Sequence, residues 1–388
     1  MRFLIAPNAF KGCLTASEAA EAMALGVLRA APDADIELLP ISDGGDGLIE
    51  ALLAGCGGRK VFATVEGPLG ETRWAPFALL PGAAGVVEMA QASGLALLPP
   101  RKPDIWKASS FGTGQLIAKA VDAGARTVFV GMGGSATNDA GAGMAQALGA
   151  RLLDAAGRPI PRGAAGLLSL AKIDLRGMAP RLRKAKIVAV SDVTNPLLGA
   201  QGSARVYGPQ KGATAGDIPV LERALARFAR IVRRDLKRSV GRVPGSGAAG
   251  GLGAGLLAFL DARIVPGGPF VLERIGAGAR VRAADLVLTG EGKLDAQSLF
   301  GKAPVALARA AKRQGRPVVA ICGSWDPKLK RALRAAGITE VRALTDGVSR
   351  RRAMREAARL IAKASEAAVR GWSPLRTPAG VRRRGSWT

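Results

Sequence analysis

The sequence predicts an α/β fold with a parallel sheet, and three observations support this class. Short apolar runs recur along the 388 residues, and each leads into a glycine- or aspartate-rich turn followed by a longer stretch with helical spacing. This alternation is typical of buried parallel strands joined by helices. The first helix also has a recognisable start, because Thr15 and Glu18 stand at capping-box spacing. The predicted parallel strands are residues 2–6, 36–40, 127–131, 187–190, 285–289, 317–321 and 340–344.

Residues 58–90 depart from this rhythm. Three segments there, 61–66, 73–80 and 85–89, alternate apolar and polar side chains and are separated by Gly-Pro and Pro-Gly turns, which predicts an antiparallel meander. We therefore expect a parallel-sheet domain built from both chain ends and a second α/β domain inserted between them. The predicted parts are 1–60 with 283–370 for the first domain, 61–282 for the inserted domain, and 371–388 for a basic, disordered tail.

The composition excludes extensive disorder and several enzyme mechanisms. Hydrophobic residues make up 48% of the chain and charged residues 22%, which is typical of a globular protein. The chain has no histidine. This absence excludes Ser-His-Asp and Cys-His nucleophiles and every zinc site that uses histidine. Any chemistry must therefore use carboxylates, lysine, arginine, hydroxyls and backbone amides.

A net charge of +26 raises a polyanion- or nucleic-acid-binding protein as the non-enzyme alternative. The charge is uneven, because residues 1–150 carry 11 basic and 14 acidic side chains, whereas the remainder carries 45 and 16. Aromatic residues are only 4% of the chain, which leaves few rings to stack on bases. We therefore do not favour a nucleic-acid partner. The arginines at helical spacing that could form a basic face are Arg223, Arg227, Arg230, Arg234 and Arg238.

Neither a membrane span nor a secretion signal is visible in the sequence. No run approaches about 18 consecutive apolar residues, and the apolar start of the chain ends before Asn8. Cys13, Cys56 and Cys322 are odd in number and widely spaced, which argues against a disulfide framework. We expect a cytoplasmic protein.

Five glycine-rich segments with acidic or amide side chains are the most informative feature of the sequence. We expect them at the carboxyl ends of strands, where ligands of open α/β sheets bind. Glycine lets the backbone approach a ligand closely, and the N-termini of following helices offer free amides to an anion. The segments are residues 43–47, 131–139, 191–195, 245–253 and 289–295.

The carboxylates in these segments predict phosphoryl transfer assisted by magnesium. Asp43, Asp192 and Glu291 are the candidate metal ligands, because Mg²⁺ prefers oxygen donors. Asp295 is the candidate base that accepts the proton of the attacking hydroxyl. Such a reaction also needs an anion cradle and cations that neutralise the charge in transit. The candidate cations are Lys11, Lys211 and Lys302, and the candidate cradle is Gly44, Gly45, Gly133, Gly134, Ser135, Asn138, Asn195, Gly250, Gly251 and Gly290.

Of two common nucleotide-binding motifs, one is absent from these segments and the other is present. A Walker-type P-loop is excluded, because Lys302 follows Gly301 but is itself followed by Ala303 and lacks the earlier glycine. Residues 131–136 do match Gly-x-Gly-x-x-Gly/Ala after a predicted strand, and Asp154 follows at about the spacing of a dinucleotide fold. An NAD-dependent oxidoreductase of a small hydroxy acid therefore remains the alternative enzyme.

The chain resembles the bacterial class I glycerate kinase family over residues 1–365. Several long motifs occur in one order, which is more specific than a single glycine loop. The resemblance implies ATP-dependent phosphorylation of D-glycerate, with 2-phosphoglycerate the favoured product, ATP and Mg²⁺ as cofactors, and a Rossmann-like domain formed by both chain ends. The motifs are residues 5–12, 42–47, 88–95, 133–143, 191–199, 207–214, 247–257 and 289–304.

The chain departs from the family pattern at two places. Family members commonly carry Asp-Ser where this chain has Asn8 and Ala9, and an amide can neither accept a proton nor supply charge. They commonly carry Glu where this chain has Asp46, which keeps the charge on a shorter side chain. The resemblance implies only small-molecule partners, with no membrane, and leaves the oligomeric state open.

Overall fold

The computed structural model describes residues 1–99 and 103–372 and has the mixed α/β architecture that the sequence predicts. All seven strands predicted from apolar runs are present. No helix in the described ranges is long and apolar enough to cross a membrane. The strands are β1 (Arg2–Pro7), β2 (Asp35–Leu38), β3 (Arg59–Glu66), β4 (Thr72–Leu80), β5 (Ala84–Glu88), β6 (Thr127–Gly131), β7 (Arg151–Leu153), β8 (Lys172–Asp174), β9 (Lys186–Val190), β10 (Arg263–Val265), β11 (Leu286–Leu294), β12 (Val318–Trp325) and β13 (Glu340–Ala343).

Helices cover the strands, and short 3₁₀ turns occur at Leu95–Leu97, Pro209–Lys211, Ala296–Phe300 and Pro327–Leu329. The α-helices are α1 (Ala16–Ala30), α2 (Leu48–Cys56), α3 (Ala90–Ser93), α4 (Phe111–Asp122), α5 (Ala142–Ala147), α6 (Ala164–Leu167), α7 (Pro180–Lys184), α8 (Ser203–Tyr207), α9 (Asp217–Leu236), α10 (Ala248–Leu260), α11 (Gly267–Arg274), α12 (Ala277–Ala283), α13 (Ala303–Arg313), α14 (Lys330–Ala335), α15 (Arg350–Arg355) and α16 (Ala357–Gly371).

The chain divides into two compact units. Unit 1 contains Met1–Ile41 and the described residues from Gly276 onward, and unit 2 contains Ser42–Ile275. This division differs from the expected boundaries at residues 60 and 283. Helix α2 belongs to unit 2 because it packs on β4, β5 and α11, and α12 belongs to unit 1 because it packs on β1 and α13. The apolar face of a helix shows in the sequence, but the sheet that it covers does not.

Unit 1 is built on a five-stranded, fully parallel sheet with strand order β13-β12-β11-β1-β2. Its core places Phe3 and Ile5 of β1 against α1 and α16. The predicted capping box at the start of α1 is confirmed, since Thr15 Oγ1 accepts from Glu18 N at 3.2 Å while Glu18 Oε2 accepts from Thr15 N at 2.8 Å.

The predicted tail starts later than expected. Gly371 ends α16, and the ring of Trp372 packs edge-on against Phe3 with centroids 6.0 Å apart. An aromatic side chain that joins the core of unit 1 is not part of a disordered segment. The remainder of the predicted tail, residues 373–388, lies outside the described residues.

Unit 2 contains a six-stranded mixed sheet with order β10-β9-β6-β5-β4-β3 and a two-stranded β7-β8 hairpin. The predicted meander is confirmed, because β3, β4 and β5 pair antiparallel. Strand β5 then pairs parallel with β6, and the sheet continues parallel through β9 and β10. The loops after β6 and β9 consequently lie at the same edge of this sheet.

Candidate active site

The loop that follows β6 in unit 2 holds the predicted segment 131–139, and backbone contacts from distant parts of the unit fix it. Leu95 N donates to Gly134 O at 2.8 Å, and Ala140 N donates to Gly250 O at 3.0 Å. Gly250 has φ +69°, and a Cβ atom there would lie 1.7 Å from Thr137 O. Gly250 is therefore required by the close approach of two backbone segments.

The other predicted cradle glycines of unit 2 serve the same purpose. Met132 N donates to Gly44 O at 3.1 Å, and a Cβ on Gly133 would lie 2.5 Å from Gly45 Cα. A Cβ on Gly251 would meet Leu197 and Ala140 within 3 Å. Backbone packing explains these glycines without a phosphate ligand. Within this group, Gly134 is exposed, and a Cβ there would lie 2.8 Å from Asp46 Oδ1.

Lys211 is buried beneath this loop, with 1% of its surface exposed. It ends the 3₁₀ turn Pro209–Lys211, and its Nζ donates to Ser135 Oγ and to Thr137 O, both at 2.7 Å. Burial lowers the pKa of the Lys211 ammonium to about 7, although the Asp139 charge partly opposes the shift. The structure thus brings together two predicted site residues, Lys211 and Ser135, and adds a burial that the sequence did not reveal.

Two polar side chains beside Lys211 are also buried. Asp139 Oδ2 accepts from Ser110 N and Ser110 Oγ at 2.8 Å and from Gly143 N at 3.1 Å, while burial raises the pKa of its carboxyl. Asn138 Nδ2 is buried and has no hydrogen-bond partner among the described residues. A buried amide donor without a partner is uncommon. Asn138, which the sequence predicts as a substrate ligand, therefore offers a donor beside the Lys211 loop.

Two predicted site residues after β9 have local structural contacts instead. Asp192 Oδ1 accepts from Gly267 N and Gly268 N at the start of α11, a position where the helix dipole favours a carboxylate. The Asn195 side chain accepts from Tyr207 OH at 2.8 Å and donates to Gln201 O at 2.8 Å. These contacts favour a capping role for Asp192 and a bracing role for Asn195 over metal and substrate binding.

Asp43, the remaining predicted metal ligand of unit 2, lies against the same helix start. Its backbone carbonyl would be 1.9 Å from a Cβ on Gly267. Gly267 therefore allows the 43–47 loop to pack on α11. The predicted segment 245–253 does not lie at the end of a strand, because it follows α9 and leads into α10.

A buried carboxylate that the predicted site omits, Glu88, ends β5. Its Oε1 accepts from Ile49 N at 2.7 Å in the first turn of α2, and its Oε2 accepts from Gln91 Nε2 at 3.1 Å. Burial raises the pKa of Glu88, and Asp46 adds to the shift. An acidic residue within the predicted strand 85–89 was the available signal.

In unit 1, the segment 289–295 lies largely within a strand. Strand β11 continues to Leu294, so Gly290 and Glu291 are strand residues, and a Cβ on Gly290 would lie 1.9 Å from Ile321 O. Glu291 is buried, and its Oε1 accepts from Ser298 Oγ at 2.7 Å. Lys302 Nζ lies 3.8 Å from Glu291 Oε2. Two predicted site residues, Glu291 and Lys302, are thus in contact.

Asp295 follows directly and caps the 3₁₀ helix Ala296–Phe300. Its Oδ1 accepts from Gln297 N at 3.0 Å, and Asp295 N donates to Ser298 Oγ at 3.3 Å. Lys293 Nζ lies 3.5 Å from Asp295 Oδ2, and 27% of the Asp295 side chain is exposed. Sequence reasoning missed Ser298, although its spacing from Asp295 is that of a capping box.

We use the name β11 cluster for Glu291, Lys293, Asp295, Ser298 and Lys302. Lys11, the other predicted cation of unit 1, is exposed and extends from a loop whose backbone lies beside Gly292. No hydrogen bond or ion pair joins the Lys11 side chain to the β11 cluster among the described residues. Lys11 and the β11 cluster thus both belong to unit 1.

The donor atoms of the β11 cluster are suited to magnesium. In residues 1–99 and 103–372, no group of three or more acidic or cysteine side chains could hold a metal ion. Magnesium at phosphoryl-transfer sites commonly uses one or two carboxylates and takes its other ligands from phosphates and water. The adjacent oxygens of Glu291 and Ser298 fit that type of site.

The structure does not support the dinucleotide-binding alternative. Residues 131–136 do not run into a helix, because α5 starts only at Ala142 after the left-handed residues Ala140 and Gly141. Asp154 directly follows β7, which pairs antiparallel with β8, and its Oδ1 accepts from Ala156 N and Arg158 N at 2.9 Å. The acidic residue of a dinucleotide site should instead follow a parallel strand.

The arginine face of α9 is partly used inside unit 2. Arg227 Nε donates to Leu170 O, Arg234 Nη2 to Ala171 O and Arg238 Nη1 to Leu257 O. Guanidinium groups that satisfy backbone carbonyls are less available to phosphates. This observation weakens the polyanion-binding alternative.

Comparisons with known proteins agree with the kinase interpretation. A family model described as the glycerate kinase family matches residues 3–373. Glycerate kinase of Halalkalibacterium halodurans is 47% identical, over 83% of this chain and 85% of the relative. Glycerate 2-kinase of Escherichia coli is 44% identical, over 84% and 85%. A crystal structure assigned to a glycerate kinase 2 of Salmonella typhimurium superposes with a TM-score of 0.80 at 42% identity, covering 95% of this chain and 97% of that one.

Proposed function

Because the chain belongs to the glycerate kinase family and is therefore a kinase with ATP as co-substrate, we propose that it phosphorylates the 2-hydroxyl of D-glycerate. The observation that carries this proposal is the β11 cluster, which combines an accessible carboxylate, two lysines and a buried carboxylate paired with a hydroxyl. These are the groups that phosphoryl transfer needs in a chain without histidine.

Asp295 is the proposed base. One carboxylate oxygen caps the 3₁₀ helix and fixes the side chain, while the other faces the Lys293 ammonium at 3.5 Å. The exposed fraction of the side chain leaves room for a hydroxyl to approach it.

Glu291 and Ser298 are the proposed protein ligands of magnesium. The bound ion would neutralise charge on the ATP phosphates. Ser298 links the Glu291 carboxylate to the backbone of Asp295, because its Oγ donates to Glu291 and accepts from the Asp295 backbone amide. Lys302 supplies a second positive charge beside Glu291, and we assign it to the transferred phosphoryl group.

The buried Lys211 group of unit 2 is the proposed anion-recognition element. Lys211 uses two of its three N–H donors on Ser135 and Thr137. The hydrogen bond to Ser135 places the Lys211 ammonium against the loop that contains the exposed Gly134. With the unpartnered Asn138 amide, this group has donors that recognise an anion.

The position of phosphorylation is proposed from one relative. The Escherichia coli protein named glycerate 2-kinase shares 44% identity with this chain, which favours the 2-hydroxyl as the acceptor. A cytoplasmic location remains a prediction.

An acceptor panel tests the reaction. Nucleotide turnover is measured with ATP and Mg²⁺ in the presence of D-glycerate, L-glycerate, glycolate or no acceptor, and NADH binding is titrated in parallel. We expect turnover to be fastest with D-glycerate and NADH not to bind. Turnover that stays at the acceptor-free rate with every acid would contradict the proposal.

A further inference from the structure

The Asp46 carboxylate stands beside the loop that follows β6, within unit 2. A Cβ on Gly134 would lie 2.8 Å from Asp46 Oδ1, so the absence of a side chain at this glycine makes room for the carboxylate. Asp46 is exposed, and its side chain makes no hydrogen bond or ion pair with the residues that the structure describes. It is therefore an acceptor that is free to contact a bound molecule.

The loop that carries Asp46 is held in place by buried groups. Ser42 is buried, and its Oγ donates to Asp46 O at 3.3 Å and accepts from Gly44 N at 3.2 Å. Glu88 Oε1 accepts from Ile49 N at 2.7 Å, shortly after the loop enters α2. The protein itself thus fixes the backbone of Asp46, without a ligand.

Free donors lie next to this acceptor. The backbone amides of Gly134 and Ser135 donate to no residue in the described ranges. Gly134 has φ +72°, and successive amides at a left-handed residue form a concavity that binds anions. The Lys211 ammonium lies 2.7 Å from Ser135 Oγ and adds positive charge at the same loop. Donors for an anion and an acceptor for a hydroxyl therefore meet at the exposed Gly134.

We propose that Asp46 is a specificity-determining residue that accepts a hydrogen bond from the 3-hydroxyl of D-glycerate. This inference rests on the proposed function, in which the 2-hydroxyl is phosphorylated and the Lys211 group recognises an anion. A small dihydroxy acid has a carboxylate for the amides of Gly134 and Ser135 and a further hydroxyl for Asp46. An acid that lacks this hydroxyl, such as D-lactate, leaves the contact to Asp46 unmade.

The charge of Asp46 determines which groups it accepts. An ionised carboxylate has acceptors and no donor, so it binds a hydroxyl but neither a methyl group nor a second carboxylate. D-Lactate replaces the CH₂OH group of glycerate with a methyl group, and tartronate replaces it with a carboxylate that Asp46 repels. The proposal therefore predicts that D-glycerate binds more tightly than D-lactate, and D-lactate more tightly than tartronate.

Isothermal titration calorimetry of the full chain with these three acids tests the inference. A non-hydrolysable ATP analogue and Mg²⁺ are present, so the result does not depend on turnover. We expect the wild type to bind D-glycerate at least about tenfold more tightly than D-lactate, because a hydrogen bond to a charged group is lost. In Asp46→Ala the two affinities should become nearly equal, and tartronate should bind more tightly than it does to the wild type.

Two further variants separate the contact from a general charge effect. Asp46→Asn keeps an acceptor oxygen without the charge, so its preference for D-glycerate over D-lactate should be intermediate. Glu50→Ala is the matched control, because it removes another acidic charge near Glu88, in the first turn of α2. It should keep the preference of the wild type.

Three results would overturn the inference. They are a wild type that does not prefer D-glycerate to D-lactate, an Asp46→Ala variant that keeps the preference, and an equal loss of affinity for both acids in that variant. Failure of the proposed function alone would look different, since D-glycerate would then bind in an Asp46-dependent way without being phosphorylated when ATP replaces the analogue.

Discussion

The ammonium of Lys211 lies 2.7 Å from the hydroxyl of Ser135, and both side chains are buried at the loop that follows β6. A buried lysine is unfavourable when charged, because few groups replace the water that it loses. The contacts to Ser135 and Thr137 compensate only in part, and the pKa of Lys211 falls to about 7. The folded conformation of this loop and the protonation state of Lys211 are therefore thermodynamically linked.

We predict a pH-dependent stability contribution from Lys211. Below about pH 7 the ammonium is charged in the folded and unfolded chain, so the folded state bears the full desolvation penalty. Between about pH 7 and 10.5 the unfolded chain holds a proton that the folded chain has lost, so the stability of the wild type rises with pH. The free energy of unfolding of the wild type, minus that of Lys211→Met, should rise over this range by up to about 1.4 kcal/mol per pH unit.

Urea unfolding at several pH values measures this difference. The control Lys119→Met replaces an exposed lysine of the same unit and should show no such slope. A pH-independent difference between the wild type and Lys211→Met would contradict the assigned burial.

We predict that Asp295→Asn lowers kcat by about 10²–10⁴ without unfolding the protein, because an amide cannot accept the hydroxyl proton but still caps the helix. Asp326→Asn is the matched control. Asp326 also caps a 3₁₀ helix of unit 1, accepting from Lys328 N at 3.0 Å, and lies outside the β11 cluster. Steady-state kinetics at saturating ATP and D-glycerate compare the two variants. Equal kcat values for both variants would show that Asp295 is a cap and not the base.

We predict that Gly250→Ala destabilises the loop after β6. The residue has φ +69°, and the new Cβ would lie 1.7 Å from Thr137 O. The backbone conformation alone costs about 1–3 kcal/mol for a residue with a side chain. Gly278→Ala is the control, because that helical glycine has open space around it and should stabilise by about 0.5–1 kcal/mol. Thermal unfolding distinguishes these expectations, and an unchanged midpoint in Gly250→Ala would contradict the packing role.

Much of the fold was predictable from the sequence. Parallel strands are buried on both faces, so they appear as apolar runs, and the meander appears as alternation. The extent of β11 was not predictable. Glu291 and Lys293 interrupt the apolar run, and the contacts of Glu291 with Ser298 and Lys302 explain a buried charge within that strand. The domain boundary near residue 60 failed because the partner of α2 is set by packing with distant strands.

The candidate site was predictable in its residue types but only partly in its contacts. Asp295 and Lys302 are seven residues apart in the sequence, and the 3₁₀ helix between them keeps them in the same part of unit 1. The glycines were ambiguous, because close approach to a ligand and close approach to another backbone select the same residue. Gly250 and Thr137 are far apart in the chain, so their contact is a tertiary property. The burial of Lys211 is tertiary as well.

The position of the new phosphate tests the central claim most directly. The reaction of ATP and D-glycerate is coupled to enolase without any phosphoglycerate mutase, and the product is examined by phosphorus NMR. We predict that enolase converts the product to phosphoenolpyruvate, as it does 2-phosphoglycerate. A product that enolase leaves untouched and that matches 3-phosphoglycerate would contradict the assigned hydroxyl, and the absence of any phosphorylated glycerate would contradict the proposed function itself.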